Sequence, residues 1–445
     1  GLKGVFSGTI EETRNHISTL HPQATYRDNL PPLTPEFFMQ DVHQYTIEET
    51  NNILHRLPYD SSNGVSGWTY GLMRRAAMTS RQTPDGPQLE QAFLAFVQMM
   101  ANYQVPDEVN DFIMESRSVL IHPDPEKPAK IRPIGIDDSI VRFVHRVELN
   151  TRKAALQEHL EPIQMCGGTP GGCEIMGSVA QLNYNARLAT WVGDFKNGFN
   201  TPARSTVQTR VANICAGLLP YLHRSYGRPT VLRSSTREGR NKRVGLSATG
   251  VRQGDPLSMI FFALTIHPTL VRINRIIDDA KQEELARPNT TETELSLCIT
   301  RPGISAFADD VNATTSNKLL STLLPIIRRI TRDELPGMSW CWPKCLISGL
   351  TVTDDIKIPL IQAIELEIAN LEEHQLGGTE HASLETELQG VQALPVVTTG
   401  CVTVGIPIGT QEFIKEQLDI KMQKYTRTLQ HFKNSNLHAQ TLMAL

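Results

Sequence analysis

Apolar and polar residues along this 445-residue chain follow helical spacing in some segments and form short apolar runs in others. Helical spacing predicts helices near residues 47–54, 88–103, 140–160 and 411–432, the first opened by a capping box of Thr46 and Glu49. Short apolar runs bounded by turn residues predict strands at 118–122, 130–136, 191–194, 304–308 and 311–314. The pattern therefore indicates a mixture of helices and strands, with hairpins over 118–136 and 304–314.

Composition and charge narrow the class of protein. The chain is 40% hydrophobic and carries 43 Lys and Arg against 47 Asp and Glu, so it is neither disordered nor strongly basic. Residues 201–250 nevertheless hold nine Lys or Arg and one Glu, whereas residues 361–400 hold seven acids and no Lys or Arg. Seven cysteines form no C-x-x-C pair, which argues against zinc ribbons and disulfide frameworks and favours a reducing, intracellular setting. Neither a run of 18 apolar residues nor a signal-peptide pattern is present, so we expect no membrane span and no secretion.

Adjacent aspartates provide the first candidate chemistry. The dipeptide Asp-Asp begins at positions 137, 278, 309 and 354, so its occurrence alone has no predictive value. Asp309 and Asp310 differ from the other pairs because strand-like runs precede and follow them, which places two carboxylates at the tip of an apolar hairpin. Neighbouring negative charges are stabilised by a cation, and hard oxygen ligands suit Mg²⁺.

Asp194 is a second candidate, at the end of the apolar run 191–194. If sheet pairing brings Asp194 beside the hairpin at Asp309, the carboxylates can form a two-metal site for in-line phosphoryl displacement. The alternative interpretation is that Asp194 only caps the next helix.

The segment 250–258, GVRQGDPLS, is the third candidate. Two glycines bracket a loop just before an apolar helix, which lets the backbone and Gln253 approach a flat ligand such as a base pair. The simpler interpretation is a loop-to-helix junction.

Taken in order, these segments resemble a known family. The segments 194–200 (DFKNGFN), 250–258 and 307–310 (FADD) resemble the palm motifs of reverse transcriptases, and most of all those of non-LTR retrotransposons. Two further segments are similar to the family's fingers motifs, 64–68 (GVSGW) and 131–134 (IRPI). The segment 164–172 (QMCGGTPGG) is similar to its Gln-x-Gly turn, 340–345 (WCWPKC) to the segment after the catalytic hairpin, and 404–409 (VGIPIG) to the primer grip. The similarity covers roughly residues 45–445.

The resemblance implies a metal site and a substrate filter. Asp194, Asp309 and Asp310 would be catalytic and hold two Mg²⁺ ions, or Mn²⁺ in their place, with the backbone carbonyl of Phe195 assisting. Phe199 would be a steric gate whose ring clashes with a ribose 2′-OH and so favours dNTPs. The alternative for Phe199 is a core ring.

Nucleotide and primer contacts are implied in the same way. Arg132 would clamp the triphosphate, Gln253 and Gly254 would pack near the nascent pair, and Lys344 would approach the leaving phosphates. For Arg132 and Lys344 the alternative is a solvated surface charge. The implied primer grip comprises Gly405, Ile406, Pro407, Ile408 and Gly409.

The implied fold is α+β, a right-hand polymerase. We expect an extended N-terminal lead-in at 1–44, fingers with the first part of the palm at 45–190, palm with primer grip at 191–409, and the beginning of a thumb at 410–445. Acidic, polar segments near 281–296 and 364–390 are expected insertions. In the fingers hairpin, His122, Pro123 and Asp124 stand where the family has a basic residue, which leaves Lys127 and Lys130 as substitutes.

The function implied is RNA-directed DNA polymerase of a retroelement, which extends a DNA primer or a target DNA 3′ end with dNTPs on an RNA template. It would act in the nucleus or the cytoplasm, as a segment of a longer polypeptide. Candidate contacts for nucleic-acid phosphates are Arg233, Arg237, Arg240, Lys242 and Arg243, with a solvated charged face as the alternative. Two other functions remain open: a catalytically inactive or domesticated copy that binds nucleic acid, and an RNA-dependent RNA polymerase.

Overall fold

Helices and strands combine in an α+β arrangement, as the sequence predicts. The computed structural model describes residues 5–6, 8–21, 44–80, 83–102, 104–121, 131–286, 302–373 and 378–433. The helices are α1 (Ile10–Leu20), α2 (Ile47–Arg56), α3 (Tyr70–Ser80), α4 (Gly86–Ala101), α5 (Asp107–Met114), α6 (Ser139–Leu160), α7 (Gly172–Asn185), α8 (Arg204–Cys215), α9 (Leu219–Tyr226), α10 (Ser258–Leu285), α11 (Asn317–Glu334), α12 (Ile358–Glu373), α13 (Thr379–Gln392) and α14 (Gln411–Lys433). The strands are β1 (Ser116–Ile121), β2 (Arg132–Ile136), β3 (Ala189–Asp194), β4 (Thr230–Thr236), β5 (Gly239–Ser247), β6 (Ile304–Phe307), β7 (Asp310–Thr315), β8 (Leu346–Ser348), β9 (Val396–Val397), β10 (Gly400–Thr403) and β11 (Ile406–Gly409).

Local capping explains where two helices begin. Thr46 and Glu49 form the predicted capping box at the start of α2, which satisfies backbone N–H groups that have no partner within the helix. Thr9 and Glu12 form a second capping box and open α1. The helix at 10–20 therefore differs from the extended conformation expected for residues 1–44, of which residues 1–4, 7 and 22–43 lie outside the described residues.

Contacts divide the chain into two units. The first comprises Gly1–Thr169, Phe195–Arg272 and Arg329–Ser339, and the second Pro170–Asp194, Ile273–Arg328 and Trp340–Leu445. Each unit is defined by the contacts among its own residues and does not correspond to a named polymerase subdomain. The expected division into fingers, palm and thumb therefore remains a prediction.

The first unit contains a four-stranded sheet in the order β2-β1-β4-β5. Strands β1 and β2 form the antiparallel hairpin predicted at 118–136, whose proline-rich loop at 122–130 lies outside the described residues. Helix α1 packs on this sheet, with Ile17 in an apolar cluster that also contains Leu120, Ile131, Leu232 and Val244.

The second unit contains a five-stranded sheet in the order β6-β7-β3-β8-β9 and the two-stranded hairpin β10-β11. Strands β6, β7 and β3 are antiparallel neighbours, which confirms the hairpin predicted at 304–314 and the strand predicted at 191–194. Ala180, Val192, Cys401 and Ile408 form a buried cluster between helix α7, strand β3 and the β10-β11 hairpin.

Three predictions about individual segments need correction or completion. Helix α6 has nearly the predicted bounds, but His145 is fully buried, although its spacing along the helix matches that of the charged residues on the polar face. The acidic segment 364–390 forms most of α12 and α13, and buried Ile364 and Val391 hold it against the protein, while residues 374–377 lie outside the described residues. Of the insertion expected at 281–296, residues 281–285 are the last residues of α10. Residues 287–301 lie outside the described residues.

Helix α10 is long and contains an extended apolar stretch. Among the described residues it alone passes a test of length and composition for crossing a membrane, and 67% of its most apolar 18-residue window is buried inside the protein. Such burial is typical of a core helix, and Pro268 lies within it.

Candidate active site

The ends of strands β3 and β7 bring two of the predicted catalytic aspartates together. Asp194 and Asp310 are direct partners in the antiparallel register, and directly opposed residues place their side chains on the same face of a sheet. Asp309 lies next to them in the turn after β6, which Ala308 enters with a φ of 54°. Like charges opposite each other destabilise a sheet, so this arrangement favours a bound cation.

The strand that carries Asp194 is well supported. Trp191 is fully buried and its ring packs against Trp340 at 4.7 Å between centroids and against Trp342 at 6.1 Å. Asp194 itself is 28% exposed, so the carboxylate sits at the point where a buried strand reaches solvent.

Lys344 forms an ion pair with Asp194. Its Nζ lies 3.1 Å from Asp194 Oδ2, and its side chain is 56% exposed. The segment around Lys344 is tied to the strand end by the backbone N–H of Cys341, which donates to the Asp194 carbonyl at 2.7 Å. The predicted proximity of Lys344 to the candidate site is therefore present in the structure.

Two cysteines lie near these carboxylates. Burial raises the pKa of the Cys345 thiol to about 12, and the Asp194 carboxylate acts in the same direction. Burial also raises the pKa of Cys173, to which Glu174 and Asp310 contribute. Burial therefore favours the protonated form of both thiols.

The donor chemistry of the site fits Mg²⁺, which prefers carboxylate oxygens and usually retains several waters. Asp194 and Asp310 supply two such groups, with Asp309 in the adjoining turn. No group of three or more His, Cys, Asp or Glu side chains gathers into a metal cluster among the described residues. The fit of the site to Mg²⁺ therefore depends on Asp194 and Asp310, which face each other across β3 and β7.

The predicted primer-grip segment forms a hairpin attached to the same sheet. Val404 and Gly405 both have positive φ, 44° and 77°, which matches the two-residue turns that suit the twist of antiparallel strands. Thr403 Oγ1 donates to Asn312 Oδ1 at 3.0 Å, and Asn312 lies two residues after Asp310 in β7. A Cβ at Gly405 would meet no atom within 4 Å, while the Lys421 ammonium donates to the Gly405 carbonyl.

Helix α7 holds the other end of this hairpin. Gln181 donates to the Gly409 carbonyl at 3.1 Å and accepts from the Gly409 N–H at 2.8 Å. Ile406 lies against Gly177, where a larger residue would collide with it, and Ile408 is buried. Pro407, paired with Val402 in the hairpin, completes the predicted segment.

The loop at 250–258 packs on backbone of the first unit. A Cβ at Gly254, where φ is 118°, would overlap the carbonyl oxygen of Gly135, and the Gln253 carbonyl accepts from the Gly135 N–H at 2.7 Å. A Cβ at Gly250 would overlap the backbone of Phe199 and Asn200. The close approach that the glycines permit is thus to the protein's own backbone, whereas the sequence argument assigned it to a ligand.

A buried network in this loop was missing from the sequence-based prediction. Asp255 accepts from Tyr226 Oη at 2.5 Å and lies 2.7 Å from His145 Nδ1. Arg252 forms a fully buried ion pair with Asp137, with Nε 3.0 Å from Oδ1. The neighbouring charges hold the pKa of Asp255 below its usual range even though burial alone would raise it. In the sequence, this network is indicated only by Asp137, which directly follows a predicted strand, and by the charged residues Arg252 and Asp255 in a loop before an apolar helix.

Phe199 and Arg132 occupy different environments in the first unit. The Phe199 ring is 9% exposed and stacks on Phe262 at 4.8 Å, so most of its surface is core. Phe195 is also buried and contacts the same ring. Arg132 is exposed at the start of β2. Their roles as steric gate, metal-assisting carbonyl and triphosphate clamp remain predictions.

The candidate nucleic-acid contacts lie on the β4-β5 hairpin. Arg233 forms a two-point ion pair with Glu115, at 2.6 and 2.9 Å, and this hydrogen bonding raises the pKa of the arginine. The others are exposed: Arg237, Arg240, Lys242 and Arg243. Arg233 is therefore the least suited of the five to contact a phosphate.

Comparisons with known proteins do not assign this chain to a family. No family model matches this chain, and no curated protein matches it at a significant level.

Proposed function

We propose that this chain is an RNA-directed DNA polymerase of a retroelement, with the right-hand fold of reverse transcriptases and most similar to those of non-LTR retrotransposons. The observation that carries the proposal is the pairing of Asp194 with Asp310 across β3 and β7. Asp309 in the adjoining turn and Lys344 at 3.1 Å complete a set of groups suited to phosphoryl transfer.

The side chains have distinct roles in this proposal. Asp194, Asp309 and Asp310 would hold two Mg²⁺ ions, which when bound would activate the primer 3′-OH and neutralise charge on the phosphates. Lys344 carries an exposed ammonium beside Asp194, so it is placed to stabilise the negative charge of the leaving pyrophosphate.

The primer-grip hairpin supports the same reaction. Its hydrogen bond from Thr403 to Asn312 fixes the hairpin to the strand that bears Asp310. Because the space that a Cβ at Gly405 would fill is free, a sugar-phosphate backbone can approach the turn from that side. The hairpin would thereby hold the primer 3′ end at a constant distance from the aspartates.

The proposed substrates are dNTPs, an RNA template and a DNA primer or target DNA 3′ end, used inside the cell in the nucleus or the cytoplasm. Exposed positive charge on the β4-β5 hairpin, at Arg240 and Lys242 for example, suits contact with nucleic-acid phosphates.

Primer extension on an RNA template with dNTPs and Mg²⁺ at low salt tests the proposal. Asp310→Asn and Asp309→Ala should each lower the rate by about 10³-fold, because metal stabilisation of transition-state charge contributes several kcal/mol. Asp279→Asn is the matched control, since Asp279 is an exposed carboxylate on α10 in the same unit. Extension that survives in Asp310→Asn at the wild-type rate would contradict the assignment of the site.

Nucleotide choice separates the proposal from its rivals. Wild type should prefer dNTPs over rNTPs, and Phe199→Ala should reduce that preference. Equal use of both nucleotides by wild type would favour an RNA polymerase, whereas nucleic-acid binding without extension would favour an inactive copy.

A further inference from the structure

The acidic helix pair α12 and α13, which had no role in the sequence-based prediction, contacts the turn that carries Lys344. A Cβ built on Gly390 would lie 3.1 Å from Trp342 Cβ, so α13 and the turn Trp342–Lys344 are in direct contact. The Trp342 indole Nε1–H donates to Glu387 Oε1 at 2.9 Å. The insertion is thus joined to this turn by packing and by a charge-assisted hydrogen bond.

Glu387 is itself held in place by a buried arginine. Arg328 is only 5% exposed and lies between two carboxylates, with 2.7 and 2.8 Å bonds to Glu387 and 2.8 and 3.1 Å bonds to Glu367. Burial alone would lower the pKa of Arg328, but the two glutamates raise it. Glu387 therefore has a fixed position from which to hold the indole.

The turn transmits this position to the candidate active site. Trp342 is buried and packs on Trp191 in strand β3, and Lys344 follows two residues later. The Lys344 N–H donates to the Cys341 carbonyl at 2.7 Å, which closes the turn. Because Trp342 and Lys344 belong to one short, hydrogen-bonded turn, the position of the Trp342 side chain affects the direction in which the Lys344 side chain points.

We propose that Glu387 is a positioning residue for Lys344. By holding the Trp342 indole, its carboxylate fixes the turn from which Lys344 reaches Asp194. The consequence for catalysis rests on the proposed polymerase function, and it gives the acidic insertion a role in placing the cation for the leaving phosphates.

The competing interpretation is that Glu387 only neutralises Arg328. Glu367 provides the matched comparison, because both glutamates pair with Arg328 whereas the Trp342 N–H is directed at Glu387. Alanine at either position removes one carboxylate from Arg328, but the change at 387 also removes the acceptor of the indole.

The first readout does not require polymerase activity. The rate at which a small amine-reactive reagent modifies Lys344 is measured by peptide mass spectrometry in the intact chain. Glu387→Ala should change this rate by about tenfold relative to wild type, in keeping with loss of one hydrogen bond to a charged group. Glu367→Ala should leave the rate near that of wild type. Glu387→Gln, whose amide oxygen can still accept from the indole, should restore most of the wild-type rate, and Trp342→Phe should match Glu387→Ala.

The second readout is steady-state primer extension. Glu387→Ala should lower kcat by about tenfold with little change in KM for dNTP, because Lys344 acts on the leaving group rather than on binding. Glu385→Ala, in the same helix but paired with His381, controls for surface charge on α13.

The outcomes separate the two proposals. Equal modification rates of Lys344 in Glu387→Ala and Glu367→Ala would overturn the positioning role whatever the activity. A specific change at 387, in a protein that extends no primer even as wild type, would support the positioning role and contradict the polymerase assignment.

Discussion

Replacing Asp255 by Asn is the most direct test of how the loop at 250–258 is held. Asp255 is fully buried, and its Oδ1 lies 2.7 Å from His145 Nδ1 and accepts from the Leu257 N–H at 3.0 Å. Its Oδ2 accepts from Tyr226 Oη at 2.5 Å. The substitution preserves the volume of the side chain while it removes the negative charge and one acceptor.

The expected cost follows from these contacts. The amide oxygen of Asn can replace one carboxylate oxygen, but its NH₂ cannot accept from Tyr226. Loss of a hydrogen bond to a charged group costs about 1.5–3 kcal/mol, so we expect the local free energy of unfolding to fall by about that amount.

Hydrogen exchange of amides in α6, which carries His145, measures this local free energy without requiring the whole chain to unfold at once. Asp111→Asn is the control, because Asp111 is 58% exposed and its contact with Arg228 is 3.5 Å long. An exposed pair of this kind contributes about 0–1 kcal/mol. A loss in Asp255→Asn no larger than that of the control would refute the reasoning.

The same substitution has a signature in pH. The pKa of Asp255 is lower in the folded protein than the value of about 3.9 expected when unfolded. Its ionised form therefore contributes stability above about pH 4, and this contribution is lost as the pH falls toward the folded-state pKa. Wild type should lose protection of α6 on acidification, and Asp255→Asn should show a smaller loss over the same range.

Three other substitutions test separate parts of the structure. Gly254→Ala should lower the melting temperature, because a positive φ alone costs about 1–2 kcal/mol and the new Cβ overlaps the Gly135 carbonyl; an unchanged melting temperature would contradict this close approach. Phe199→Ala should cost about 3–5 kcal/mol in a denaturant titration as a buried aromatic ring is lost, and a cost below about 1 kcal/mol would show that the ring is not part of the core. If the β4-β5 hairpin binds nucleic acid, Arg240→Gln should reduce the slope of log affinity against log salt by about 0.7–0.9, whereas Arg233→Gln, which loses a charge already paired with Glu115, should change it less.

Sequence reasoning was most successful where neighbouring residues decide the structure. The capping box at Thr46, the hairpin whose second strand begins at Asp310 and the strand that ends at Asp194 each depend on side chains within a few positions. The helix at 10–20 has the same kind of signal at Thr9, but the prolines that follow it dominated the interpretation of residues 1–44.

Contacts between distant residues were beyond such reasoning. His145 has the spacing of a polar helix face, yet it is buried because Asp255, 110 residues later, supplies a carboxylate at 2.7 Å. Glu387 belongs to an acidic stretch that is typical of a solvated surface, and only the approach of Arg328 and Trp342 gives it a specific position.

By itself, the sequence predicted the helices α2, α4, α6 and α14, the strands β1, β2, β3, β6 and β7, and the motifs that resemble a reverse transcriptase. Tertiary structure alone decided that Asp194 faces Asp310, that Lys344 lies beside Asp194, and that the two glycines of the 250–258 loop make room for protein backbone. The physical reason is range: backbone propensity and capping act over a few residues, whereas the free energy of a buried charge depends on groups that folding brings from far along the chain.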